Sequence, residues 1–103
     1  MKKRTEKATK MIGVVVTTEH KGVFFGYIPE NAKTEVKTIT LNRARMCVYW
    51  SKAVKGVLGL ASNGPLSDCR IGPPVPSLSL SDVTSVCKAT DGAVAAWEVG
   101  PWQ

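Results

Sequence analysis

Few side chains in this 103-residue chain are of types that do covalent or acid–base chemistry. His20, beside Glu19, is the one conventional acid–base candidate, because imidazole titrates near neutral pH. A nucleophile for it would have to come from elsewhere in the fold, since no nucleophile-elbow sequence is present. Cys47, Cys69 and Cys87 stand 22 and 18 residues apart, without a C-x-x-C pair, whereas zinc ligands usually come in pairs close in sequence. They read as ordinary thiols in a reducing compartment. Gly56-Val57-Leu58-Gly59 lacks the Lys and Ser/Thr of a phosphate loop. The expectation is a protein that is not an enzyme and uses no metal and no cofactor.

The charged residues suggest binding instead. Fourteen Lys and Arg face eight Asp and Glu, for a net charge of +6. Residues 1–10 supply +4 of it through Lys2, Lys3, Arg4, Lys7 and Lys10 against Glu6. Apart from Met1 that arm has nothing apolar, so it is expected to be disordered, ahead of a single domain over residues 11–103. Lys37, Arg43, Arg45, Lys52 and Lys55 then follow one another with no acid among them. On one face they would suit a phosphate-bearing or acidic partner; the bland alternative is a solvated strand face. Phe24 and Phe25, adjacent in a strand, must point to opposite faces, which marks a second layer, a subunit contact or a ligand wall.

The elements that position these groups are mostly strands. Ile12–Thr18 and Gly22–Ile28 form a hairpin around Glu19-His20-Lys21-Gly22, with Gly26 marking a bulge or a close approach by another backbone. Residues 35–41 and 44–50 read as two strands with a phase change at Asn42-Arg43. On this reading Ala44, Met46, Val48 and Trp50 point inward, and Arg43, Arg45, Cys47 and Tyr49 point the other way. Ser51–Asn63 has helical spacing, ended by Gly64-Pro65, with Gly56 and Gly59 packing close to the sheet. Pro73, Pro74 and Pro76 exclude a central strand, leaving room for an edge strand near Arg70-Ile71. Leu78 and Leu80, then Val83 and Val86, flank a turn at Ser81-Asp82, and Thr90 caps a helix over Ala93–Trp97. The fold class is α+β, mostly β: a small antiparallel sheet or partly open barrel of five to six strands with one or two short helices. No apolar run reaches membrane-spanning length, and a cytoplasmic location is expected.

The order Thr18-Glu19-His20-Lys21-Gly22-Val23-Phe24-Phe25-Gly26, Leu41-Asn42-Arg43-Ala44-Arg45, Tyr49-Trp50 and Leu60-Ala61-Ser62-Asn63-Gly64 resembles a family of small proteins encoded by bacteriophages and prophages. Their pattern is T-x-x-x-G-V-x-x-G, a strand ending near N-A-R, an aromatic pair ending in Trp, and L-A-x-x-G. The similarity runs from Val14 to Trp102. It implies phage origin and an accessory role inside a bacterial host cell, with no catalytic residues to carry over. The leading expectation is a non-catalytic binding protein, a homo-oligomer, whose target is a host protein or a small phosphorylated ligand. Its candidate contacts are Arg43, Arg45, Tyr49, Phe24 and His20. The rival is nucleic-acid binding through the arm and the Arg43/Arg45 strand face.

Overall fold

The computed structural model describes residues 10–19, 22–66 and 69–100. Alternating β-branched and aromatic residues form β1 (Met11–Thr18) and β2 (Val23–Pro29), paired in the expected antiparallel hairpin. The turn closes by Thr18 N donating to Gly22 O at 3.0 Å and Gly22 N donating to Thr18 Oγ1 at 3.1 Å. Next comes β3 (Ile39–Tyr49), then a 3-10 turn (Lys52–Val54), helix α1 (Gly56–Ser62) and the two-residue β4 (Arg70–Ile71). The chain ends with β5 (Val75–Leu80), β6 (Val83–Lys88) and helix α2 (Asp91–Glu98). Thr90 caps α2, accepting from Ala93 N at 3.1 Å and donating to Ser62 O at 2.6 Å, which also ties α2 to the end of α1.

The sheet runs β4-β3-β2-β1-β6, with β5 also paired to β3. Every ladder is antiparallel. β5 lies along Ile39–Ala44 and β4 meets Cys47 and Tyr49, so the long β3 carries both on its outer edge. Pro76 is tolerated in β5 because that strand is an edge. Only Ser81 and Asp82 separate β5 at one edge from β6 at the other, so the sheet must curl until its edges approach. Glu19 N donates to Asp82 O at 2.9 Å and Val83 N to Lys37 O at 3.0 Å across that seam. Continuing the registers places Ile39 level with Lys10, whereas Val83 pairs with Thr18, roughly eight residues further along β1. An offset of this kind is the stagger of tilted strands in a barrel.

This curl explains the two Phe faces. Val15, Val23, Phe25, Cys47 and Ile71 face the helices and pack with Leu60, Ala93 and Trp97. Trp97 is fully buried, stacks on Phe25 with centroids 5.1 Å apart, and donates from Nε1 to Leu60 O at 3.1 Å. Val14, Val16, Ile28, Leu41 and Ala44 pack inside the curl with Val83, and Phe24 and Leu80 lie against them. The second apolar face is therefore covered in part by the curl of the sheet itself.

Four local expectations are corrected. Residues 35–41 and 44–50 do not form two strands: β3 is continuous, and the phase change is a bulge at Arg43, in left-handed backbone at φ 51°. The register slips there against β2, where Gly26 lets Leu41 approach so closely that an added Cβ would meet Leu41 Cβ at 2.6 Å. Beyond the bulge the inward reading inverts, because the helices, not the curl, cover this end of β3: Cys47 is buried while Met46 and Val48 are exposed. The expected helix over residues 51–63 is broken at Lys55 and Gly56, both at positive φ. Gly59 makes room not for the sheet but for the preceding turn, since a Cβ there would sit 1.7 Å from Val54 O.

Candidate functional site

The sequence-derived contacts do not form one face. Arg45 projects toward the C-terminal end of α2 and is spent on backbone. Its Nε donates to Gly72 O at 2.7 Å, Nη1 to Trp97 O at 2.7 Å, and Nη2 to Gly100 O at 2.8 Å. Longer contacts reach Glu98 O at 3.3 Å and Ile71 O at 3.5 Å. The last carbonyls of a helix have no intrahelical donor, and a guanidinium's planar fork can satisfy several together. Burial depresses the Arg45 pKa, opposed by the charge of Glu98. Arg45 is thus a clamp holding α2 and β4 to β3, with no donor left to face a ligand. The expected role of Arg45 as a partner contact gains no support from these bonds.

Arg43, one turn of the bulge away, is exposed but engaged. Its Nη2 donates to Glu98 Oε1 at 2.9 Å, and its guanidinium lies 5.3 Å from the centroid of the Tyr27 ring. The Tyr27 hydroxyl donates to Glu98 Oε2. Burial, and then the hydrogen bond to Glu98, push the Tyr27 pKa up to about 12, so the hydroxyl is a donor throughout the physiological range. Together they line a cavity of about 260 Å³ with Pro74 and Val99. The setting is poor for an anion: Glu98 already occupies Arg43, and the carbonyl end of α2 adds negative potential. Tyr27 and Glu98 were missed in the sequence; nothing in their local pattern joins them, because they are 71 residues apart.

Tyr49 lies six residues beyond Arg43 on β3, about 20 Å away at strand rise. It is 55% exposed and pairs across the ladder with Arg70, which is also exposed. Lys52 and Lys55 follow at the two ends of the 3-10 turn, where Lys55 N donates to Lys52 O at 3.1 Å. Both lysines are exposed, and among the described residues neither has an ion-pair partner. The described acids lie elsewhere: Glu19 and Asp82 at the seam, Glu30 and Glu35 in the loop before β3, Asp91 and Glu98 on α2. Asp68, next to β4 in sequence, is outside the described residues. This end of the molecule therefore joins positive charge to an exposed aromatic ring.

The remaining candidates separate from that end. Phe24 is half-buried against the inner cluster and pairs with Met46, so it is a packing residue. Lys10 is exposed at the start of β1. His20, Lys2, Lys3, Arg4 and Lys7 lie outside the described residues. Cys47 and Cys69 are buried thiols; burial, and then the nearby Cys69, push the Cys47 pKa up to about 12, far from a reactive thiolate. Among the described residues no cluster of three or more His, Cys, Asp or Glu is placed to hold a metal ion, and no helix is long and apolar enough to cross a membrane. A family model described as a domain of unknown function (DUF6948) matches residues 11–97. No curated protein and no solved structure matches the chain.

Proposed function

The chain belongs to the DUF6948 family, and we propose that it works as a non-catalytic binding protein that meets a phosphate-bearing or acidic partner. The contact is the end of the molecule formed by Tyr49, Lys52, Lys55 and Arg70. The observation that carries this reading is the charge distribution: two exposed lysines that have no ion-pair partner among the described residues, next to an exposed Tyr–Arg ladder pair, with every described acid placed elsewhere. Cationic patches of this kind concentrate anionic partners and speed their association. The resemblance to small phage and prophage proteins supports an accessory role inside a bacterial host cell.

Retention on immobilised heparin, eluted with salt, tests the patch. Lys52→Glu/Lys55→Glu is expected to elute at clearly lower salt than the parent protein. A second variant with Lys2, Lys3, Arg4 and Lys7 changed to Gln measures the arm separately. If the patch variant elutes with the parent and only the arm variant shifts, the folded domain is not the contact and the proposal fails.

A further inference from the structure

We infer that the partner at this end is a single-stranded nucleic acid, an inference that rests on the binding reading just given. Three features of the surface favour it over a duplex or an acidic protein. The first is the Tyr49 ring, which lies 55% exposed at the rim of the sheet instead of in either core cluster. A flat aromatic face in a cationic setting is the recurring platform for unpaired bases, and a duplex keeps its bases stacked and out of reach. The second is adjacency. Tyr49 pairs across the ladder with Arg70 at the point where the register shifts, which brings a guanidinium-bearing residue to the strand position opposite the ring.

The third is the spacing of the cations. Lys52 and Lys55 bracket one 3-10 turn, which rises ~2 Å per residue and sets the two positions roughly 6 Å apart. That is close to the distance between neighbouring phosphates on an extended strand. Tyr49 precedes the first of them by three residues, so ring and ammonium groups follow one another along a short path. A base on Tyr49 then leaves its backbone running toward Lys52 and Lys55. An acidic protein surface would use the lysines equally well and could also pack on the ring, but it offers no run of flat bases for the ring to stack with.

Fluorescence anisotropy with a short labelled oligothymidine, and with a duplex of the same length, decides this on the full chain. The single strand is expected to bind at least tenfold more tightly than the duplex at low salt. Tyr49→Ala is expected to weaken single-strand binding by about 5- to 150-fold, the range for losing one stacked base. Tyr49→Phe keeps the ring and is expected to retain binding, and all Tyr49 variants keep the heparin retention of the parent. Equal affinity for the duplex, or a silent Tyr49→Ala, overturns the inference while leaving the binding reading intact. Loss of heparin retention in no patch variant overturns the binding reading itself. Binding of a poly-glutamate peptide at the affinity of the oligothymidine assigns the surface to an acidic protein and also overturns the inference.

Discussion

Replacing Arg45 should cost stability, not binding. Three of its hydrogen bonds are 2.7 to 2.8 Å long and end on carbonyls of Gly72, Trp97 and Gly100, from segments 27 to 55 residues away. Hydrogen bonds from a charged donor contribute about 1.5–3 kcal/mol each, so three would total up to roughly 9 kcal/mol if additive and fully buried. Arg45 is only half-buried, and water can rehydrate part of the exposed carbonyls once the side chain is cut back. Discounting for that, Arg45→Ala is expected to lower the unfolding free energy by about 3–5 kcal/mol, roughly half of the additive figure. With a urea dependence near 1.5 kcal/mol per M, the midpoint falls by roughly 2–3 M. Arg45→Lys keeps the charge but loses the planar fork, so it should recover less than half of the deficit. Equilibrium urea unfolding followed by circular dichroism reads both variants against the parent. A loss under about 0.5 kcal/mol for Arg45→Ala would refute the clamp and return Arg45 to the list of ligand contacts.

Two further outcomes follow from the same packing. Gly59→Ala should destabilise by more than about 1 kcal/mol despite the better helix propensity of Ala, because the new Cβ meets Val54 O at 1.7 Å. Gly92→Ala, in α2 with nothing within 4 Å of its added Cβ, should stabilise by about 0.5–1 kcal/mol, and thermal melts of the pair must move in opposite directions. Stability should also decline in alkali. The Cys47 thiol ionises from its ordinary value of 9.0 in the unfolded chain but only near 12 when folded, and Tyr27 moves from 10.0 to about 12. The unfolded state therefore releases protons first, and the contribution of each group, intact below its unfolded pKa, is lost as pH rises toward 12. Urea midpoints between pH 8 and 11 should fall, and Cys47→Ala should flatten the early part of that decline.

Much of the architecture was legible because it is local. The hairpin of β1 and β2 follows from two β-branched and aromatic runs on either side of a polar turn, and the cap at Thr90 from a hydroxyl three residues ahead of Ala93 N. The phase change at Asn42-Arg43 marked the bulge as well, although pattern alone does not distinguish a kinked strand from two strands. What failed was non-local. Whether Cys47 or Met46 faces inward depends on where α1 and α2 lie, and they follow β3 in the chain. Arg45 looked like a surface charge because the carbonyls that consume it belong to residues 71, 72, 97, 98 and 100. The break of the expected helix turns on Lys55 holding a left-handed conformation, which a lysine does not advertise. The site fared accordingly: Tyr49 kept an exposed position, and the two arginines beside it in sequence took different duties.

The pairing of β1 with β6 also governs how the chain can be made. Val14, Val15 and Val16 present one ladder edge to β2 within about ten residues, but the partner for their other edge, Val86 to Lys88, is synthesised some 70 residues later. During that interval the apolar, uncharged stretch Met11–Thr18 has an open edge, the kind of segment that recruits strands from other chains. Closure by β6 is thus the step that removes an aggregation hazard, and long-range pairing of this sort is slow to form. A nascent chain that ends before residue 83 holds β1 in a hairpin with one edge still unpaired.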